Sequence, residues 1–349
     1  MPVNLDGETL AKIADILDAK SDLDALSYVL KNPQLNFRII SIDSEHVQSD
    51  TLKLTEIGVT VLDVATLQPH QDGSRQTTIE SFVEHMYPMN FLICENGHLF
   101  NNVVIESDPQ GFRFGWSRWI ARNEVSTVLT ELINKTDHPD APEVCPVVLL
   151  SHDADKLHDL LVDAEIDISN ISHVVRTLHT EEMAKSPQHY PWRGSRDIDL
   201  TSLILENDMK PLGKEKPMGE DYLHNSGNNA ALTMLCAASM IDDCKDRFGS
   251  DLTRTEEREL NHGLVDSLIL STFNNKAMTK IGHDVYCIRC NAAGDHFEHE
   301  CIPEQNPVSC EHCKKRGERP ETIGNHDTHR CLRLYQDISP FEEDDCDDR

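Results

Sequence analysis

The stretch Ile39–Val47, IISIDSEHV, sets an Asp and a Glu two positions apart at the end of an apolar run. In an extended strand, residues i and i+2 share a face, so Asp43 and Glu45 stand side by side as like charges. Such a pair repels unless a cation lies between them, although at a solvated strand end it needs no partner. A second acidic cluster follows a later strand in VVLLSHDADKLHDLL, where Asp153, Asp155 and Asp159 compete and Asp155 is favoured. Ligands of open α/β sheets gather beyond the carboxyl ends of the strands, where both clusters fall. A third feature is His224, just before a helix that Asn225 or Ser226 can cap. An Asp-x-Glu on a first strand, a post-strand Asp and a His at a helix start make a two-metal phosphodiesterase centre. Hard cations such as Mg2+ or Mn2+ take oxygen ligands. Two of them about 4 Å apart clamp the attacking and leaving oxygens of a phosphodiester. A nearby His can take the proton from the attacking water.

Taken in order, SIDSEHV with LTEIGVTVLD, then FGWSRWI, LLSHDAD and HNSGNNAALT resemble the RNase H-like domain of fungal Gfd2-type proteins, within the DEDDh exonuclease superfamily. The resemblance runs from Asn36 to Asp243. It implies an RNase H-like fold and 3′-to-5′ exonuclease chemistry on RNA or single-stranded nucleic acid. Asp43 would bridge both metal ions, Glu45 would hold one, and His224 would be the general base. The resemblance also puts the last acid of the family, in a His-x4-Asp pattern, at position 229, where this chain has Asn229. Asn offers one neutral carbonyl oxygen in place of a charged carboxylate, which lowers affinity for that ion. The aspartate-threonine of the family after the next strand is Arg176-Thr177 here. Two readings follow. One is a metal-dependent exonuclease impaired at Asn229. The other is a catalytically inactive nuclease-like domain that binds RNA or a protein as an adaptor in RNA processing or silencing.

Six of the eleven cysteines crowd into one segment. They form two units, Cys287-x2-Cys290-x5-His296-x4-Cys301 and Cys310-x2-Cys313-x12-His326-x4-Cys331. Three thiolates and an imidazole make a closed tetrahedral set for a structural Zn2+. The first unit resembles a CCHC zinc knuckle with one extra residue before the His, and Gly294 relaxes the chain there. His299, His312 and His329 are rival ligands, His299 disfavoured by its cramped spacing to Cys301. A segment this short buries little core, so metal would supply much of its folding free energy. Zinc knuckles contact single-stranded nucleic acid, and Lys314, Lys315, Arg316, Arg319, Arg330 and Arg333 add positive charge. Neighbouring acids nearly cancel it, leaving a structural or protein-binding role open. Cys94, Cys145, Cys236 and Cys244 read as packing residues, and Cys346 stands alone in an acidic run.

The elements that must position these residues read as an α/β chain. The net charge of −29 over 349 residues excludes a general electrostatic grip on nucleic acid. Any such ligand needs a local basic patch or metal ions. No apolar run is long enough for a membrane span, and the first residues lack the form of a signal peptide. The expectation is an intracellular protein, cytoplasmic or nuclear. Residues 1–35 hold two short helical patterns, with Ser21 and Asp24 as a capping pair. Residues 36–245 form the RNase H-like domain, a mixed sheet flanked by helices. Its strands are predicted at NFRIISID, LTEIGVTVLDV, SFVEHMYPM, PVVLLSHDAD and ISHVVRTL, with a long ordered loop from Phe91 to Trp119. Helices are predicted at ARNEVSTVLTELINK, LHDLLVDA, DLTSLILENDM and GNNAALTMLCAASMID. Residues 246–282 make a helical linker with a helix near Glu256 to Met278. Residues 283–335 make the double zinc module, and residues 336–349 an acidic disordered tail.

Overall fold

The computed structural model describes residues 5–47, 50–67, 79–97, 111–134, 145–185, 197–206, 209, 223–241, 265–269, 281–287, 289–290, 292–296, 300–302, 307–324, 326, 328 and 331. Its sheet has six strands in the order β4-β3-β2-β1-β5-β6. These are β1 (Arg38–Val47), β2 (Asp50–Asp63), β3 (Met86–Ile93), β4 (Ser117–Ile120), β5 (Val147–Ser151) and β6 (Val174–His179). Strand β2 is antiparallel to β1 and β3, whereas β1 with β5, β5 with β6 and β3 with β4 are parallel. A three-strand meander continued by parallel strands with helical crossovers is an RNase H-like mixed sheet, as the sequence predicts.

The helices are α1 (Gly7–Asp18), α2 (Asp22–Lys31), α3 (Ile79–His85), α4 (Val125–Asn134), α5 (Ala154–Asp163), α6 (Thr180–Ala184), α7 (Leu200–Glu206) and α8 (Ser226–Ser239). The strand period sorts them into two layers. On β1, Ile39 faces a core shared with α1, α2, α3, α6, α7 and α8. Ile40 and Ile42 face a second core built with α4 and α5. Both faces of β1 and β5 are therefore covered, which is why their sequences are near-continuous apolar runs. Helix α2 begins as its capping pair predicts, with Ser21 Oγ accepting from Asp24 N at 3.2 Å. Both N-terminal helices belong to the first core. Arg176 of β6 ties them to the sheet edge through Asp18 at 2.6 Å and Asp22 at 3.1 Å.

Two local expectations change. The SFVEHMYPM segment is helix α3 followed by strand β3, not strand throughout. Phe82 and Val83 are adjacent and both buried, whereas successive residues of a strand point to opposite faces. The Phe91–Trp119 section opens and closes in strand, with Phe91 to Ile93 in β3 and Ser117 to Trp119 in β4. Residues 98–110 of it lie outside the described residues. So do the acidic tail and most of the 246–282 linker, of which residues 265–269 are helical. Among the described residues no helix is long and apolar enough to cross a membrane.

The Cys/His segment is fastened to edge strand β4. Trp119 and His283 exchange backbone hydrogen bonds of 2.8 Å in both directions. The Tyr286 ring stacks on Trp119 at 4.7 Å between centroids, and its hydroxyl donates to Cys94 O at 3.0 Å. Pairing and aromatic cover hide backbone groups that an edge strand would otherwise expose.

Candidate functional site

The site is organised by the buried start of α8. Every residue from Ser226 to Ala238 is buried, so the polar sequence Asn225-Ser226-Gly227-Asn228-Asn229 must find partners inside the protein. It finds them on the sheet. Gly58 of β2 pairs with Asp43, and Glu56 pairs with Glu45. A Cβ at Gly58 would lie 1.8 Å from the Ser226 carbonyl oxygen, so glycine is what lets α8 touch the strand there. Asn225 caps the helix, its Oδ1 accepting from Asn228 N at 3.1 Å. Glu56 accepts from Asn225 Nδ2 at 3.2 Å and from Ser226 N at 3.4 Å. Asn90 of β3 accepts from Gly227 N at 3.2 Å.

One turn further, Asn229 Nδ2 donates to Asp43 Oδ2 at 3.1 Å and to Glu45 Oε1 at 3.2 Å. Asp43, Glu45 and Asn229, separated by about 185 residues of chain, thus meet at one point. Asn229 is only 7% exposed, and its Oδ1 has no hydrogen-bond partner. Burial pushes the Asp43 carboxyl well above its ordinary value. Lys156 opposes that shift, Glu45 adds to it, and Asn229 opposes it. Glu45 is also raised by burial, against the pull of Lys156.

The post-strand residues are divided. Asp153 caps α5, its Oδ1 accepting from Asp155 N at 2.9 Å and Lys156 N at 3.2 Å. Asp153, rather than Asp155, is the post-strand acid whose charge raises Asp43. Asp155 stands exposed in the first turn of the helix, and Asp159 is exposed one turn on. His152 is held by Thr180 Oγ1 at 2.8 Å and Ile198 O at 2.9 Å. His224 precedes the cap of α8 in a left-handed conformation, φ +68°, which costs a non-glycine residue about 1–2 kcal/mol. Such strain concentrates at functional positions.

Three further residues were not singled out in the sequence. Glu56 is 2% exposed, and burial, with help from Glu45, pushes it up to about 8. An acid inside the apolar run LTEIGVTV was its only sequence signal. Lys156 is raised chiefly by the charge of Asp43, with Glu45 and Asp153 adding to it. It stands among Asp153, Asp155 and Asp159 in sequence, which hid it. Trp116 is 77% exposed, next to Ser117, whose Oγ accepts from Asn90 Nδ2 at 3.0 Å.

Asp43 and Glu45 supply the hard oxygen donors that a divalent cation takes. A half-turn of the Asn229 amide would exchange its donor for the unpartnered Oδ1 and add a third oxygen. The donor set therefore fits a divalent ion.

In the Cys/His segment the ligand atoms of Cys287, Cys290, His296 and Cys301 lie within 4.8 Å of one another, as do those of Cys310, Cys313, His326 and Cys331. These are the two sets that the spacing predicts, and either could hold zinc. Burial and the neighbouring thiols push Cys313 up to about 12, a penalty on the thiolate that a bound dication would reverse. His296 Nδ1 meets Asp295 at 2.8 Å, an outer carboxylate of the kind that orients ligating imidazoles. Of the rival ligands, His312 is outside the second set, and His299 and His329 lie outside the described residues.

An RNase H-like sheet with Asp-x-Glu on its first strand, faced by the start of its last helix, defines a DEDDh-type exonuclease domain. The family described as DNA polymerase III subunit epsilon-like, C-terminal domain, matches residues 38–240, and the chain belongs to it. Nucleases of this superfamily use divalent metal ions, and a nuclease-like, nucleic-acid-directed function follows from membership. No curated protein matches the chain.

Proposed function

We propose that the chain is a metal-dependent 3′-to-5′ exonuclease-like protein of the Gfd2 type, acting on RNA or single-stranded nucleic acid, with its hydrolysis weakened at Asn229. The observation that carries this reading is the meeting of Asn229 with Asp43 and Glu45. Asp43 and Glu45 would hold Mg2+ or Mn2+, and Asn229 would serve as a neutral third ligand. A divalent ion bound there supplies Lewis-acid stabilisation of charge on the phosphoryl oxygens. His224 would take the proton of the attacking water, its position set by the strained turn before α8. Asp153 supports the carboxylate field. Trp116 offers a face on which an unpaired base can stack. The zinc-knuckle-like units, with exposed Lys315 beside the second cluster, would extend the contact with single-stranded nucleic acid.

The test is digestion of 5′-labelled single-stranded RNA in Mn2+ by the natural protein and by Asn229→Asp. The reading expects slow shortening from the 3′ end and a clear gain in the variant. No cleavage by either protein would sink it.

A second reading is favoured by the same hydrogen bonds. Asn229 satisfies both carboxylates without a metal ion, as an adaptor that binds RNA or a protein but does not cut would allow. Retained RNA binding with no cleavage in either protein supports that reading.

A further inference from the structure

The first turn of α8 carries two adjacent asparagines with different partners. Asn229 meets the carboxylates of Asp43 and Glu45. Asn228 is fully buried, and its side chain binds a segment 115 residues away in sequence. Its Oδ1 accepts from Arg113 N at 2.9 Å, and its Nδ2 donates to Gly111 O at 3.0 Å. One amide thus serves both a donor and an acceptor of the same backbone, as a neighbouring strand would. Phe112 lies between those two contacts and is also buried. A Cβ on Gly227 would stand 2.7 Å from its ring, so the segment is packed against α8 as well as bonded to it.

The same segment leads into Trp116, which is 77% exposed, and then into β4. The sheet register sets its place relative to the carboxylates. Asp43 of β1 pairs with Gly58 of β2, Gly58 with Asn90 of β3, and Asn90 with Ser117 of β4. Three strand spacings therefore separate Asp43 from Ser117, about 14 Å between backbones, a span that a short run of single-stranded nucleic acid can bridge. Asn90 ties this row to α8, accepting from Gly227 N at 3.2 Å and donating to Ser117 Oγ at 3.0 Å.

We propose that Asn228 is a positioning residue for single-stranded nucleic acid. It clamps the Gly111–Trp116 segment, so that a strand held at Asp43 and Glu45 finds the Trp116 ring at a fixed distance and stacks a base on it. This rests on the reading of the site as one that takes nucleic acid. Stacking on an aromatic ring tolerates any base, so the clamp favours an unpaired strand over a particular sequence. A segment already held by Asn228 and Phe112 need not be ordered on binding, and that ordering would otherwise weaken the complex. The two asparagines then link the two halves of one site, Asn229 at the carboxylates and Asn228 at the stacking face.

The test is binding of a short fluorescein-labelled oligouridine to the full-length, zinc-loaded protein in Ca2+, read by anisotropy. The natural protein is compared with Asn228→Ala, Trp116→Ala and the double variant, and Mn2+ affinity is measured beside it. Each single variant should weaken oligouridine binding about tenfold. Because Asn228 acts through Trp116, the double variant should be no weaker than the single ones. The Mn2+ affinity of Asn228→Ala should stay near the natural one. Losses that multiply in the double variant, to about a hundredfold, would overturn the proposal. So would binding by either single variant within about twofold of the natural protein. A fall in the Mn2+ affinity of Asn228→Ala as large as its fall in oligouridine affinity would overturn it too, marking Asn228 as a support of α8 as a whole. Hydrogen exchange of the natural protein needs no variant to fold. The Arg113 amide should exchange as slowly as those of α8, and exchange as fast as that of an exposed loop would overturn the clamp. No oligouridine binding by the natural protein overturns the proposal together with the nucleic-acid reading. Losses that do not multiply, without RNA cleavage, support the clamp and defeat the exonuclease reading alone.

Discussion

Asn229 of α8 and Asp43 of β1 are joined side chain to side chain, Nδ2 to Oδ2 at 3.1 Å. The direction of that hydrogen bond matters. An amide hydrogen points at the carboxylate where a family acid would add a third negative charge. The amide thus satisfies one oxygen of each carboxylate, and the negative potential that would draw a metal is lower by one charge than with an acid at 229.

Asn229→Asp should reverse both properties. Three carboxylates would then crowd one point, so the variant should melt at a lower temperature than the natural protein when divalent ions are absent. Mn2+ should restore it by mass action. If the restored ligand contributes about 4 kcal/mol to transition-state stabilisation, cleavage should rise about a thousandfold. The natural protein should be slow in Mg2+ and faster in Mn2+. Thermal melting with and without Mn2+, beside the RNA assay, checks both halves. An ordinary enzyme rate in the natural protein with no gain in the variant would mean that another carboxylate fills the site.

The sheet and its buried strands were legible because β1, β2 and β5 are apolar runs whose length and alternation leave few alternatives. The convergence of position 229 on Asp43 came from a resemblance of motifs, since no local rule brings residues 185 positions apart together. Segment SFVEHMYPM misled because the last five residues of a short helix and the first four of a strand share the same apolar letters. Lys156 was hidden for a different reason. A lone lysine among acids reads as a solvated helix face, and its side chain is indeed exposed, while the placement of α5 after β5, beside β1, brings its charge to bear on Asp43. Glu56 was missed because a single acid in a strand gives no sign of whether its partner is water or a helix start.

Gly58 should tolerate no side chain. An added Cβ would stand 1.8 Å from the Ser226 carbonyl oxygen and 2.0 Å from its carbon, and these are backbone atoms of a buried helix. Overpacking of this kind costs about 1–3 kcal/mol or more. Gly58→Ala should lower the urea midpoint by a corresponding amount and weaken Mn2+ binding, because α8 carries Asn229. Gly7→Ala, with nothing within 4 Å of its Cβ, should not lower the midpoint, and should raise it slightly because alanine favours the helix, with Mn2+ binding unchanged. Equal stability of the two variants would show that α8 is free to shift.

Glu56 should give stability a negative slope with pH. Its folded value of about 8 lies above the ordinary 4.5, chiefly because of burial. The folded state therefore holds a proton that the unfolded state has lost between those values. Its contribution is full below about pH 4.5 and disappears as pH rises towards 8, at up to about 1.4 kcal/mol per pH unit. Glu56→Gln keeps the polar shape and removes the titration. Without added divalent ions, urea unfolding across pH 5 to 8 should be flatter for the variant. Parallel curves would show that Glu56 is ionised in the folded protein.

Removing zinc should loosen one end of the molecule and spare the other. Each four-ligand cluster gathers atoms from a segment with little core of its own. In the second, the buried apolar contact is made by Cys310, Cys313 and Cys331 themselves. The clusters are also linked, since Arg289 reaches Cys301 Sγ at 3.7 Å and Gly324 O at 3.0 Å. Elemental analysis should find two zinc ions per chain. A strong chelator should then open residues 283–331 as one unit and release Tyr286 from Trp119, which shields strand β4. Backbone amides of β1 and β5 are bonded inside the sheet and covered on both faces, so their hydrogen exchange should stay slow. Because the module is fastened at β4, fraying should appear there first, at Trp119 and its neighbours. Protein purified without zinc yet protected over residues 283–331 would remove the metal from this account. Loss of protection in β1 and β5 on chelation would show instead that the nuclease-like domain depends on the zinc module to fold.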